Sequence, residues 1–195
     1  MATNSSTAGY LAPSSSPMEG EALEDLFHDV IAGVTGIAPD LVRPRWQPEP
    51  PNQPDFTDDW VAFGIMTTQA DTFTYAGHDP TLDADLLERD EVITILHSFY
   101  GPNGQALMNR FSAGLQIEQN RDELTAHGIK LVECQEVGQI PALLKERWVR
   151  RYDCRVIFRH RLHYAYPILT AIAPAPNHMV LNNDLYLTPI NPATP

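Results

Sequence analysis

The sequence predicts an α+β fold in which helices pack on one face of a largely antiparallel sheet. Apolar residues recur at helical spacing between residues 18 and 36, and over residues 147–166 side chains alternate in character as they do along a strand. The order of the predicted elements supports the same fold class, since one helix, three or four strands, two helices and two strands follow one another.

The longest alternating segment is 147–166, RWVRRYDCRVIFRHRLHYAY. Its even-numbered positions are mostly aromatic or aliphatic and its odd-numbered positions hold five arginines, so a strand would place these arginines on one face. Twenty residues at about 3.3 Å each would span roughly 65 Å, which exceeds the width of a domain of this size. The segment must bend, break or project, and we favour projection and pairing with a neighbouring subunit. The pattern indicates an assembly protein.

The first half of the chain predicts one helix and several strands. Residues 18–36 have the apolar stripe of a helix, with acidic residues in the early turns and Gly36 as the stop. Residues 40–46 predict a short strand that Pro44 restricts to a sheet edge. A proline-rich loop is predicted over 47–59, a strand over 60–69 that continues over 72–75, and a turn over 77–80. An acidic connection over 82–87 and a buried central strand over 91–100 follow.

The second half predicts two helices and two strands. A helix capped by Asn103 precedes a shorter helix over 119–127, and a strand over 129–137 is joined to the long strand by a connection over 138–146. If the two strands form a hairpin centred on residue 144, Cys134 and Cys154 face each other. Two reduced core thiols are favoured over a disulfide, in keeping with a reducing cytoplasm.

The chain is expected to form one domain with two arms. Residues 1–18 are rich in Ser, Thr, Pro and Gly and predict a disordered N-terminal arm. Residues 19–166 form the predicted α+β domain. Residues 167–195 contain six prolines and one β-like segment over 178–188, and predict an extended C-terminal arm.

Charge is distributed unevenly. The formal net charge is −12, yet residues 145–163 hold seven basic and two acidic residues, a net of +5, which leaves −17 for the rest. Such a basic strand could complement an acidic surface on another copy of the chain. It could instead bind nucleic acid, although the negative field around it opposes this. Self-complementarity is the favoured interpretation.

The search for chemistry predicts no enzyme, no cofactor and no metal. Motifs for phosphate loops, dinucleotide folds, nucleophile elbows and zinc proteases are absent from the sequence. His78, Asp79, Asp83 and Asp85 could hold a divalent cation, but a solvated acidic loop is the favoured interpretation. Gly101–Gly104 before a helix is favoured as a capped turn over a phosphate cradle. No apolar run reaches membrane-spanning length, and the N-terminus lacks the pattern of a secretory signal, so no membrane partner is expected.

Several motifs, in their order and spacing, resemble the neck-terminator proteins of tailed bacteriophages and prophages. They are DLVRPRWQPEPPNQP (40–54), DWVAFGI (59–65), HDP (78–80), FYGPN (99–103), LQIEQNR (115–121) and ERWVRRYD (146–153).

This resemblance implies a tail-terminator-like α+β protein that forms a homo-hexameric ring on the head-proximal end of the tail tube. The ring would end tube polymerisation and join the tail to the head connector. Implied partners are other copies of the chain, the tube protein and the connector or stopper protein, while genomic DNA passes through the lumen without specific binding. The location would be the neck of the virion, after assembly in the host cytoplasm. A head-side connector or stopper ring and a nucleic-acid-binding module remain alternatives.

The expected interface combines the basic strand with the proline-rich loop. A ring needs one patch that meets a different patch on the next copy, and arginine suits ordered interface pairs. Phe99, Tyr100 and Trp148 are expected in the core instead. The predicted interface residues are Arg147, Arg150, Arg151, Arg155, Arg159, Arg161, Arg43, Arg45, Trp46, Pro48, Pro50 and Pro51.

Overall fold

The structure, a computed structural model, describes residues 4–7, 9–49, 52–144 and 146–170. Its helices and strands are, in chain order, α1 (Glu21–Thr35), β1 (Val42–Pro44), β2 (Trp60–Ala70), β3 (Tyr75–Asp79), β4 (Ala84–Tyr100), α2 (Gly104–Gly114), α3 (Asp122–Ala126), β5 (Ile129–Leu144) and β6 (Arg147–Tyr166).

The strands form one sheet in the order β1-β2-β4-β6-β5, and β3 pairs with the first residues of β4. β1 runs parallel to β2, and the other pairs are antiparallel. Helices and a mostly antiparallel sheet confirm the predicted α+β class.

α1 shows how sequence sets the helix layer. Its predicted apolar stripe is buried, and Phe27 packs on Phe158 of β6 with ring centroids 5.2 Å apart. The helix ends where predicted, because Gly36 adopts the left-handed conformation (φ 71°) and its N–H donates to the carbonyl of Ala32 at 2.8 Å. The stripe therefore fixes which face of α1 meets the sheet.

The core lies between the helices and one face of the sheet. Burying each large apolar side chain contributes roughly 1.5–3 kcal/mol relative to exposure. The largest fully buried side chains come from α1, β2, β4, α2 and the residue after it, α3, β5 and β6: Phe27, Ile31, Phe63, Ile93, Ile95, Phe99, Phe111, Leu115, Leu124, Ile129, Phe158 and Leu162.

The predicted boundaries between 70 and 91 are wrong in three places. β2 ends at Ala70 instead of continuing over 72–75, the predicted turn at 77–80 falls mostly within β3, and most of the predicted connection over 82–87 belongs to β4. Acidic side chains are depleted in strands, but here they face basic residues across the ladder. Glu88 lies opposite His163, and Asp90 lies opposite Arg161.

The predicted connection over 138–146 is also wrong. β5 continues to Leu144, and the chain reverses tightly before Arg147, with Glu146 at φ 63°. The pairing register shifts between Leu131 and Glu133 and again between Glu136 and Gly138. These bulges overturn the predicted register of the cysteines: Cys134 lies opposite Val156, and Cys154 lies opposite Glu136.

β6 is unbroken over 20 residues. β4 pairs with its residues 151–166 and β5 pairs with its residues 147–160. The first four residues of β6 therefore pair with β5 alone, and this end of the β5–β6 hairpin extends past β4. Pairing of this end with a neighbouring subunit stays a prediction.

The N-terminal residues lie along the other end of β6. The N–H of Ser14 donates to the carbonyl of Ala165 at 2.7 Å, and the N–H of Ser5 donates to that of Pro167 at 3.0 Å. The division into arms and a central domain stays a prediction. The β-like segment at 178–188 lies outside the described residues.

Candidate interaction surface

Over 152–162, β6 shows the predicted alternation. Tyr152, Cys154, Val156, Phe158, His160 and Leu162 are buried. Arg155, Arg159 and Arg161 are exposed on the face of the sheet that the helices leave open. Asp153 is the exception, since this odd-numbered carboxylate is only 3% exposed.

Two of the exposed arginines are paired within the chain. Arg159 contacts Asp71 at 3.1 Å and Asp90 at 3.2 Å, and Arg161 contacts Asp90 at 2.9 Å. The hydrogen bond from Arg161 lowers the pKa of Asp90, and the same bond raises the pKa of Arg161. These guanidinium groups need no acidic neighbour to balance their charge, so they are weaker candidates for a subunit contact than the sequence indicates.

The buried carboxylate of Asp153 is hydrogen-bonded to Arg151 directly and linked to Arg45 through Ser98. Asp153 receives hydrogen bonds from Ser98 at 2.7 Å and from Arg151 at 3.0 Å, and Ser98 in turn accepts one from Arg45 at 2.6 Å. The network joins the segment after β1 to β4 and β6. Arg45 and Arg151 therefore have a structural role on the open face.

Three predicted arginines have no carboxylate partner among the described residues, and two of them, Arg147 and Arg150, lie at the hairpin end. Arg147 stacks over the ring of Phe56, with its guanidinium carbon 5.2 Å from the centroid. Arg150 and Arg155 are exposed, and within the described part of the chain neither forms an ion pair. Their charges are available to a partner.

All three tryptophans of the chain border two adjoining hollows beside the hairpin end. One hollow of about 330 Å³ is lined by Phe56, Trp60, Tyr100, Trp148 and Arg150, among others. The other, of about 420 Å³, is lined by arginines, prolines and Trp46, and both hollows include Gln53 and Trp60. Together these hollows and the side chains around them form the tryptophan groove.

The groove has a defined shape. Trp60 and Tyr100 stack with ring centroids 4.1 Å apart and planes at 7°. Trp46 adopts φ 59°, a conformation that a bulky side chain rarely takes, and its ring lies so close to Gly64 that a Cβ there would be 2.7 Å from it. Strained residues of this kind cluster at binding and functional sites. Trp46 is 67% exposed, so its ring is presented to a partner.

Arg43 lines the second hollow. Its Nε and Nη1 atoms are buried and have no hydrogen-bond partner among the described residues. Of the predicted prolines, Pro48 is exposed and lines neither hollow, while Pro50 and Pro51 lie outside the described residues.

Sequence reasoning missed much of this groove. Phe99 and Tyr100 are buried as predicted, but Trp148 is 73% exposed, so the prediction of a core role for it is wrong. Its position continues the inward register of β6, yet none of the described residues covers it at the hairpin end. A signal exists in the sequence: tryptophans flank the proline-rich loop and open β6.

The candidate cation cluster has other partners. His78 contacts Asp85 at 2.7 Å and Thr170 at 3.1 Å, and the side chain of Thr81 donates to Asp79 at 2.6 Å. In the described ranges, no group of three or more His, Cys, Asp or Glu side chains is arranged to hold a metal ion. No helix among these residues combines the length and apolarity that crossing a bilayer requires.

A family model described as phage neck terminator protein matches residues 21–183, most of the chain. The chain belongs to the phage neck terminator family. The match contains every motif that carried the resemblance, and the last 12 residues lie beyond it. No curated protein matches the chain. The family is one of structural phage proteins, which places this neck terminator in the virion.

Proposed function

We propose that this neck terminator forms a homo-hexameric ring on the head-proximal end of the tail tube, ends tube polymerisation and joins the tail to the head connector. The observation that carries this proposal is the tryptophan groove at the projecting hairpin end. Trp, Tyr and Arg are the residues that contribute most binding energy at protein interfaces, and here the exposed Trp46 and Trp148 are gathered with exposed arginines such as Arg150.

Charge supplies a complementary surface. The helices carry exposed acidic residues: Glu21, Asp25 and Asp29 on α1, and Asp122 and Glu123 on α3. A head-to-tail contact would place the groove's exposed Arg147 and Arg150 against such acids on the next copy. This contact joins two different patches, as a closed ring requires.

The acidic remainder of the chain suits the passage of DNA. A lumen that carries negative charge would not grip phosphates, so genomic DNA would slide through without specific binding. Assembly in the host cytoplasm, before the genome passes, is part of the same proposal.

Tube assembly in vitro tests this function. Purified tube protein is polymerised with and without the terminator, and tube lengths and tube ends are examined by negative-stain electron microscopy. The proposal predicts shorter tubes with one capped end. Unchanged lengths with bare ends would contradict it.

The head-side stopper ring is the second candidate. The same groove could serve such a ring, because it specifies a protein partner without specifying which one. Binding to the connector in the absence of tube protein, together with bare tube ends, would favour it.

The nucleic-acid module is disfavoured by the pairing of Arg151, Arg159 and Arg161 with carboxylates of the same chain. Steeply salt-dependent DNA binding would restore it.

A further inference from the structure

The two cysteines form a close cross-strand pair. Although Cys134 and Cys154 lie on diagonal rather than opposite positions of β5 and β6, their sulfur atoms are 3.4 Å apart. Both are free thiols. A disulfide needs about 2.0 Å between the sulfurs, so the pair must close by only about 1.4 Å. Bulges on both sides of Cys134 give β5 local freedom for this movement.

The two thiols differ in access. Cys154 is fully buried, while Cys134 is partly exposed on the edge strand, with the Ser112 hydroxyl 3.6 Å from its sulfur. The hydrogen bond from the Cys154 thiol lowers the pKa of Cys134 to about 7, and the same contact, with burial, raises the pKa of Cys154. Cys134 is therefore the attacking thiolate at neutral pH, and Cys154 is placed to react second.

We propose that Cys134 and Cys154 are an oxidative modification site that accepts a small-molecule disulfide of the glutathione class and forms an intrachain disulfide between β5 and β6. The Cys134 thiolate attacks one sulfur of the oxidised glutathione and expels a glutathione thiolate. The Cys154 thiol then gives up its proton, attacks the sulfur of Cys134 and expels the second glutathione. Two protein thiols are oxidised to one disulfide, and one glutathione disulfide is reduced to two thiols.

The cross-link would fasten the edge of the sheet. Among the described strands β5 pairs with β6 alone, and edge elements with few contacts open first. The chain would fold and assemble reduced in a cytoplasm and become cross-linked in an oxidising medium outside the cell. This inference does not depend on the ring, because both thiols and the strands that carry them belong to one chain.

Oxidised glutathione is the probe. The full-length native protein is incubated with it near pH 7.5, thiols are quenched, and the intact mass and thiol number are measured. We expect a loss of about 2 Da, no titratable thiol, no glutathione adduct, and a rise in Tm of about 5 °C or more that dithiothreitol reverses. A wild-type protein that keeps both thiols, retains a stable glutathione adduct, forms an interchain dimer or shows no rise in Tm would overturn the proposal.

Single variants separate the two roles. Cys154→Ser removes the second thiol, so the protein should stop at a mixed disulfide, about 305 Da heavier. Cys134→Ser leaves only the buried thiol, and the native protein should stay unmodified. Cys154→Ala repeats the first test if serine in this buried place prevents folding. Equal adduct formation on both variants would contradict the assigned order of attack.

Discussion

His97 shows at the scale of one residue how burial sets a pH response. The side chain is 1% exposed, and its ring lies 4.6 Å from that of Phe111. Burial lowers the pKa of His97 to about 3. The charge of Arg45 acts in the same direction, and a backbone hydrogen bond at Cys154 opposes the shift. The folded protein therefore keeps this ring neutral at any pH at which it is expected to function.

Acidification should weaken the fold through His97. The unfolded chain binds a proton at this histidine below about pH 6.5, while the folded chain does not until about pH 3. The contribution of His97 to the free energy of unfolding is therefore fully present above about pH 6.5. It is lost as the pH falls from 6.5 towards 3, and the loss reaches about 2 kcal/mol at pH 5. Urea unfolding at pH 7 and pH 5 measures it, and His97→Phe should remove that part of the difference. An equal loss in both proteins would contradict the assignment.

The buried carboxylate Asp153 should be the most sensitive charged position on the open face. Asp153→Asn leaves Arg151 and the Arg45–Ser98 pair without their anion, and we expect a loss of about 3 kcal/mol in the free energy of unfolding. The matched control is Asp71→Asn, whose partner Arg159 is half-exposed, and it should cost less than about 1 kcal/mol. Equal effects in urea unfolding would show that burial does not distinguish the two pairs.

At the scale of the element, the sequence predicts those helices and strands whose pattern lies entirely within their own residues. The stripe of α1 with its Gly36 stop and the apolar run that forms the inner part of β4 are of this kind. The sequence predicts connections at the acidic start of β4 and at the end of β5, because the strand character of these segments comes from pairing with residues far along the chain. The alternation of β6 predicts the exposed face for Arg155, Arg159 and Arg161, but it does not predict that Arg150 is exposed too. Nor does it predict the pairing of Arg159 and Arg161 with Asp71 and Asp90.

Gly64 on β2 should control the placement of Trp46. A methyl group at this position would lie 2.7 Å from the Trp46 ring and 3.1 Å from the Arg45 side chain. Gly64→Ala should therefore displace the segment after β1, lower the free energy of unfolding by about 1–3 kcal/mol and change the near-UV circular dichroism.

The matched control for this test is Gly33→Ala in α1. No atom lies within 4 Å of the added methyl group there, and alanine favours a helix, so this variant should gain up to about 1 kcal/mol. A Gly64→Ala protein with unchanged stability and spectrum would contradict the close packing at Trp46.

At the scale of the whole molecule, the chain presents a cationic aromatic groove at one end of the sheet and acidic helix surfaces elsewhere. Trp148 and Arg150 at the hairpin end have no role in the core, so their removal should leave folding intact while weakening assembly. We expect Trp148→Ala and Arg150→Glu to reduce the assembled fraction at least tenfold with Tm changed by less than about 3 °C. Phe73→Ala, an aromatic residue that is 87% exposed and lines neither hollow, is the control and should assemble normally.

The most direct test of the ring is the mass of the purified protein by light scattering coupled to size-exclusion chromatography, alone and then with short tubes of the tube protein. We predict six copies of the 21.8-kDa chain, about 131 kDa, either free or bound to tube ends, and the loss of that species in Trp148→Ala but not in Phe73→Ala. A protein that stays monomeric both alone and in the presence of the tubes would contradict the account.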